Sequence, residues 1–494
     1  MSKGKKIALA LLIVVVIVVV GLAIIVPMLF NIDHYRPQVV AQIQQETGKT
    51  AQIGHLALTI LPRVGIRVDD FSLGNPAGFP AGDFVRARKI YAVVHASALL
   101  HRTVEITSLE LDDLTVNMLE NTHGTWNFEN PPAKNVPPAA DPPGPGSASF
   151  KLGIISKLTV VRGEFAAANL LASRVPGPAL MQVHGASINL HQVDLNALTT
   201  TSLRAPASTP GTFAAMSDWL NPVVYAADAQ GPEVAQGTIK ADALEFGPMN
   251  VTKFQSKFRL FPKQAFFDDL YLKCYGGSAT GNLSLNFGGA NLAYGVDAQV
   301  KGVNVAEFLV AFPQAKGMMT GTVDGSAKMN GLVTHAADPL AGVTGSGRAT
   351  IRDGRLPSLR LDRNLRSLAS AAELGPAHGD LSSFSFLSAD FQIADARLSS
   401  NKITVVGNGM DVIGAGSMTM AGQGTLDYQG DANLAASGKN PLTTLLTGLT
   451  GAKFAGGKIT LPFAVGGTFA KPTFSLKGGT GDPPPRQRPR WDRM

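Results

Sequence analysis

The chain has 494 residues, of which 16% are charged and 53 are glycine, and its formal net charge is +7. A charged fraction well below the usual value of about 25% favours an apolar, strand-rich protein. No basic stripe with interleaved aromatic residues indicates a nucleic-acid partner. The single cysteine, Cys274, excludes an intramolecular disulfide, and we interpret it as a small buried hydrophobe rather than a catalytic thiol.

An uncharged apolar run covers residues 7–30 and follows three lysines, Lys3, Lys5 and Lys6. As a helix it would measure roughly 36 Å, which exceeds a hydrocarbon core of about 30 Å. The run is longer than the roughly 7–15 apolar residues of a signal peptide, and no small-x-small cleavage site closes it. A buried core helix fits poorly, because the run is apolar all round and lies at the extreme terminus of the chain. The sequence therefore predicts a membrane-spanning helix that includes Ile7, Leu12, Val16, Val20, Ile24 and Phe30.

The lysines before this run place the N-terminus in the cytoplasm by the positive-inside rule. No second apolar run of similar length follows. We therefore expect a single-pass protein of the cell inner membrane, with the bulk of the chain in the periplasm of a Gram-negative cell.

A short helix is predicted after the span, with Asp33 as its N-cap, Pro37 in its first turn and Gly48 as its C-cap. From Ala51 the apolar period changes towards two, which predicts strands, with an early interruption at Pro62. The pattern divides the chain into a cytoplasmic N-terminus (1–6), a transmembrane helix (7–30), an N-terminal β region (31–130), a proline-rich linker (131–149), a middle β region with an Ala/Thr/Pro-rich loop (150–236), a C-terminal β region (237–477) and a disordered basic tail (478–494).

The alternating runs and glycine turns predict a mostly β fold: an elongated, curled antiparallel sheet with a few short helices, two of them at 303–312 and 359–374. Roughly twenty to twenty-five strands at about 4.8 Å each would give a sheet about 100 Å long. Few helices are available to cover its apolar face, so we expect an apolar groove suited to acyl chains. The groove candidates are Leu114, Val116, Met118, Leu158, Val160, Ile188, Leu190, Phe258, Leu260, Leu283, Leu285 and Phe287.

Residues with catalytic or metal-binding chemistry do not converge in this sequence. His184 and His191 are seven residues apart, which predicts opposite faces of a strand. Three acidic pairs interrupt the alternation and favour turns over catalysis: Asp69-Asp70, Asp112-Asp113 and Asp268-Asp269. Residues 121–127 would form either a strand-end turn, which we favour, or a small polar pocket. We therefore predict no catalytic residues, no metal, no cofactor and no enzymatic activity.

Several short motifs, taken in order, resemble the AsmA family of Gram-negative envelope proteins. At the N-terminal end they follow the predicted span, and towards the C-terminus they mark strand turns. They are Thr47-Gly48-Lys49, Leu61-Pro62-Arg63, Gly124-Thr125-Trp126-Asn127-Phe128, Tyr275-Gly276-Gly277, Thr320-Gly321-Thr322, Thr350 to Pro357 and Val465 to Pro472.

The resemblance implies a chorein-like start, a β-groove anchored in the inner membrane, and a role in outer-membrane biogenesis through phospholipid transport between membranes. The family is also associated with targeting and assembly of outer-membrane proteins, so such proteins are possible partners beside phospholipid. The leading hypothesis is a non-enzymatic lipid conduit. The alternatives are an assembly factor that binds outer-membrane proteins through exposed strand edges and, less favoured, an anchored hydrolase.

Overall fold

Two compact units make up the chain. Unit 1 is Met1–Cys274 with Thr280–Leu292, and unit 2 is Tyr275–Ala279 with Ala293–Met494. The computed structural model describes residues 32–60, 63–95, 103–128, 149–151, 154–173, 175–194, 231–247, 249–288, 292–311, 315–333, 342–357, 382–407, 410–419, 424–435, 453–455, 458–468 and 471–476.

Strands dominate both units, which confirms the predicted mostly β fold. Those that begin in the N-terminal segment of unit 1 are β1 (Ala51–Gln52), β2 (His55–Thr59), β3 (Gly65–Gly74), β4 (Asp83–Val94), β5 (Thr103–Glu120), β6 (Ser149–Lys151), β7 (Ile154–Leu170), β8 (Pro176–Asp194), β9 (Ala235–Phe246), β10 (Met249–Phe261) and β11 (Gln264–Cys274). The next strand, β12 (Gly277–Asn286), includes residues of both units.

The sheet of unit 1 is antiparallel at most of its described pairings. Both β1 and β2 pair with β3, and antiparallel pairs then connect β3 to β4 and β4 to β5. A second antiparallel series runs from β7 through β8, β9 and β10 to β11. The two series join where β5 pairs with β7 in parallel, and β6 also pairs with β5 in parallel.

The parallel pairing of β5 with β7 is a departure within the mainly antiparallel sheet that the sequence predicts. A parallel pair cannot close through a tight hairpin, so the chain must cross back between Glu120 and Ile154 before β7 starts. The predicted proline-rich linker lies within this crossover, mostly outside the described residues.

The helix after the predicted span is confirmed, although its start differs. A 3-10 turn (Ile32–Tyr35) leads into α1 (Arg36–Thr47), which ends at Gly48 in the left-handed conformation with φ 65°. Asp33 is not the N-cap, because that position is Tyr35. Its carboxylate instead accepts the backbone N–H of Leu56 at 2.8 Å, which ties the turn to β2.

Unit 2 contains the rest of the strands and the short helix α2 (Val305–Leu309), which lies within the predicted helical stretch 303–312. Its strands are β13 (Leu292–Asn304), β14 (Thr320–Val333), β15 (Thr344–Arg355), β16 (Ser383–Ala394), β17 (Arg397–Gly407), β18 (Met410–Thr419), β19 (Leu426–Ala435), β20 (Lys453–Ala455), β21 (Lys458–Gly467) and β22 (Pro472–Leu476). From β14 to β19 each strand pairs with the next in antiparallel fashion, and β21 pairs with β19, β20 and β22.

The predicted spanning run, with Ile7, Leu12, Val16, Val20, Ile24 and Phe30, lies outside the described residues, and so do the predicted helix 359–374 and the basic tail. Neither α-helix in the described part of the chain is long and apolar enough to cross a membrane.

The turn after β5 is fixed by Asn127, whose side chain is fully buried. The side-chain amide of Asn127 donates to Asn75 Oδ1 at 2.8 Å and to the Asn117 carbonyl at 2.7 Å. Its oxygen accepts the backbone N–H of Leu119 at 3.0 Å. These bonds confirm the favoured interpretation of a strand-end turn, and they join it to the turn between β3 and β4.

Replacing this side chain should destabilise unit 1. The Asn127→Ala change removes one buried hydrogen bond, from the Leu119 N–H, and two part-buried ones, to Asn75 and Asn117, and an unpaired buried group costs about 1–3 kcal/mol. We expect urea unfolding of the full chain to start at clearly lower urea. The control is Asn169→Ala on β7, where the side chain is exposed. Equal midpoints for the two variants would contradict a structural role for Asn127.

Candidate functional site: an apolar sheet face in unit 1

Apolar side chains from eight strands of unit 1 meet in one continuous row across the sheet. Each residue of the row is the direct partner of the next, so all side chains lie on the same face. The row consists of Leu73, Val85, Val116, Phe165, Val183, Leu244, Val251 and Cys274. At about 4.8 Å per strand it is about 34 Å long.

A second row crosses the same face nearer the other end of the strands. It consists of Ile66, Ala92, Leu109, Leu158, Leu190, Gly237, Phe258 and Phe267. The glycine belongs there because a Cβ atom at Gly237 would lie 1.9 Å from the Asn189 carbonyl oxygen. Beyond it, the rings of Phe258 and Phe267 pack with their centroids 5.1 Å apart.

The structure brings together the groove candidates of β5, β7, β8 and β10. Leu114 and Val160 are buried in one cluster, against which Val116, Leu158 and Ile188 pack. Leu158 also contacts a neighbouring cluster together with Leu190 and Leu260. Met118 pairs with Ala167, and Phe258 belongs to the second row. On β12, Leu283 and Leu285 share one face, and Phe287 follows the end of that strand.

Each strand of this face contains one position where the alternation of side chains changes phase. On β5 the apolar residues are Leu109 and Leu111 before this position and Leu114 and Val116 after it. We call these positions the bulge line. On five strands it is marked by a left-handed residue with φ between 52° and 62°, namely Asp70, Asp113, Arg162, Gly185 and Lys253, whereas β4 and β9 change phase without one.

The bulge line corrects the interpretation of the acidic pairs as turns. Asp69-Asp70 and Asp112-Asp113 lie inside β3 and β5, and Asp268-Asp269 lies inside β11. In each pair the second aspartate has positive φ, a conformation that Asp tolerates better than most residues. The left-handed residue changes the phase of the strand and so restores the apolar face after the interruption, while the register with the neighbouring strand stays the same on both sides of Asp70 and Asp113.

Charges of alternating sign follow the bulge line on the polar face. Arg88 on β4 contacts both Asp112 and Asp113 on β5, at 2.9 and 2.5 Å. Arg162 on β7 contacts the same two carboxylates, and its Nε lies 2.5 Å from Asp113 Oδ1. The hydrogen bond from Arg162 holds the pKa of Asp113 below its usual value, with a smaller contribution from Arg88. This cluster joins three neighbouring strands.

A carboxylate on β7, Glu164, and a histidine on β8, His184, continue the pattern. Glu164 Oε1 accepts the backbone N–H of Gly185 at 3.0 Å, and Glu164 Oε2 lies 2.6 Å from His184 Nδ1. The change of phase at Gly185 also corrects the prediction for the histidines of β8. Val183 and Leu190 occupy the apolar face, so their neighbours His184 and His191 both lie on the polar face.

The sequence interpretation missed about half of this face. Val85, Phe165, Val183, Leu244 and Ile239 line it but were not among the candidates. One sequence signal could have identified these residues. Within a segment of strand length, two alternating apolar runs of opposite parity are separated by a pair of charged or small residues.

No group of three or more potential metal ligands occurs among the described residues. At the end of the first row the thiol of Cys274 is partly buried, and burial raises its pKa. A thiol that stays protonated is a poor nucleophile, so this residue fits the row as a small apolar side chain.

The family model of the AsmA family matches residues 1–154, which confirms the resemblance for 154 of the 494 residues. The matched segment extends from the N-terminus to the first residue of β7. Comparisons with curated proteins and with solved structures give no match.

Deleting Asp113 should disrupt the apolar face, whereas Asp113→Asn should preserve it. The deletion gives Leu111 and Leu114 the same parity, so β5 alternates regularly and matches the register and phase of β4 and β7 on only one side of the bulge line. Asparagine tolerates positive φ and keeps both the phase change and the register. We expect the deletion variant to unfold at much lower urea than Asp113→Asn, and equal midpoints would contradict the role of the bulge line.

A pH titration of the same variant tests the charge cluster. The pKa of Asp113 is lowered from 3.8, so its contribution to stability is present above pH 3.8 and is lost as the pH falls through the folded-state pKa. Asp113→Asn should therefore show a smaller loss of stability below pH 3.8 than the wild-type chain, measured by urea unfolding at each pH. An identical pH dependence for the two proteins would contradict this assignment.

Proposed function

We propose that this chain, whose residues 1–154 match the AsmA family model, is an envelope protein that binds phospholipid acyl chains on the apolar face of unit 1. On this proposal it is anchored in the inner membrane by residues 7–30, with the bulk of the chain in the periplasm. It supports lipid transport and outer-membrane biogenesis without being an enzyme.

The two apolar rows are the observation that best supports lipid as the ligand. The first row is about 34 Å long, whereas one leaflet of a hydrocarbon core is about 15 Å thick, half of about 30 Å. The row therefore has room for more than one acyl chain placed across the strands. The two core clusters that contain its groove candidates consist of strand residues of the same sheet.

The size of the hydrophobic effect explains why such a face would be useful. Exposing a methylene group to water costs about 0.8 kcal/mol of free energy. Transferring an acyl chain of about 15 methylenes from the bilayer into the aqueous periplasm would therefore cost about 12 kcal/mol. A continuous apolar face removes most of this cost, while the charged cluster around Asp112 and Arg162 keeps the other face in water.

Photo-crosslinking in cells tests this proposal. A photoreactive residue on the apolar face should capture phospholipid several-fold more than one at the adjacent position, whose side chain points to the polar face. The apolar positions are Val116 and Leu190, and the matched controls are Thr115 and His191. Capture that is equal on both faces would contradict the proposal. Capture of outer-membrane proteins from strand edges, without lipid on the apolar face, would favour an assembly factor instead.

A further inference from the structure

Large apolar side chains are exposed together at one end of the unit 1 sheet. The hairpin between β7 and β8 presents Leu171, Val175 and Leu180, which are 51%, 55% and 41% exposed. The neighbouring hairpin between β9 and β10 presents Phe246 and Met249, which are 50% and 37% exposed. Met181 pairs with Phe246, which pairs with Met249, so β8, β9 and β10 reach this end together. We call these five exposed residues the apolar tip.

Both faces of the sheet are apolar near this tip. Met118, Ala167, Met181 and Phe246 form a short row that continues the apolar face as far as the hairpins. On the opposite face, Leu119, Ala168 and Leu170 form a buried cluster with Phe79. Elsewhere in unit 1 the second face carries the charges of the bulge line, so the tip differs from the rest of the sheet.

The charge pattern of the tip suits a lipid surface better than a typical protein partner. The sequence from 165 to 193, which includes the β7–β8 hairpin, contains no aspartate or glutamate and one arginine, whereas Glu245 adjoins Phe246 on β9. The β7–β8 side of the tip can therefore approach anionic headgroups without repulsion. Exposed apolar patches of this kind mark interaction sites.

We propose that the apolar tip inserts into the surface of a phospholipid bilayer and so connects that bilayer to the apolar face of unit 1. The inference rests on the proposed function, because the row that ends at the tip belongs to the proposed acyl-binding face. It adds a contact surface, with Phe246 at the junction between the bilayer and the row. The strand ends of two hairpins, rather than the predicted spanning helix, make this contact.

Site-specific fluorescence quenching tests the insertion with the full chain kept in peptidiscs, which provide no bilayer. With Cys274→Ala as background, an environment-sensitive dye is attached through Val175→Cys at the tip. The control dye is attached through Lys263→Cys, in the β10–β11 turn at the opposite end of the strands, where Lys263 is exposed. Vesicles of phosphatidylcholine and phosphatidylglycerol that contain nitroxide-labelled lipid are then added. We expect several-fold stronger quenching at position 175 than at position 263.

Leu180→Ser combined with Phe246→Ser should abolish the difference between the two dyes. Both side chains are already exposed, so the urea midpoint should stay unchanged. Equal quenching at both positions in the unsubstituted tip, or quenching that survives the serine substitutions, would overturn the inference. Crosslinking from position 190 in the same samples separates the two proposals. Phospholipid captured at position 190 without quenching at the tip would support the acyl-binding face and contradict insertion of the tip. Quenching at the tip without capture at position 190 would support insertion of the tip and contradict the acyl-binding face.

Discussion

The strict alternation of side chains along a β-strand is the constraint on which unit 1 depends. A strand of 17 or 18 residues, such as β7 or β5, presents one apolar face only if its sequence keeps one parity or changes parity at a compensated position. Unit 1 uses the second solution on adjacent strands and aligns the changes, as at Asp70, Asp113 and Arg162. Alignment is necessary because one strand out of phase would place its apolar side chains among its neighbours' charges.

Burial of apolar side chains, more than the exposed ion pairs, maintains the bulge line. A left-handed residue other than glycine costs roughly 1–2 kcal/mol. Solvent screens the exposed pairs of Arg88 and Arg162 with Asp112 and Asp113, so these pairs do not by themselves account for the backbone cost. Burial of Leu114 on the apolar face contributes about 1.5–3 kcal/mol, and the half-buried side chains of Val116 and Met118 add smaller amounts. The apolar face dominates, and the charges select where the phase changes.

Much of this arrangement could be predicted from local sequence, and the rest depends on distant partners. The run Leu114, Val116, Met118 and the end of α1 at Gly48 follow from spacing and from a left-handed cap. Two polar residues between apolar runs look alike whether the chain turns or continues with a bulge, so Asp112-Asp113 was misread. Its partner Arg162 is 49 residues from Asp113, and only the β5–β7 register brings them together. The apolar tip likewise combines two hairpins separated by about 70 residues of chain.

The parallel pairing of β5 with β7 affects how the chain folds. Strands that are neighbours in sequence, such as β3 and β4, can pair locally as a hairpin, and a hairpin forms in about 1–10 μs. The β5–β7 seam closes only after the chain has crossed back, which carries a larger loop entropy and slows pairing. Strands β1–β5 and β7–β8 would therefore form as separate nuclei that meet late. Because the family match ends where β7 begins, this late seam is also the joint between the AsmA-like part of unit 1 and its remaining strands. A chain cut within the crossover would then reassemble from two fragments held together by β-pairing alone.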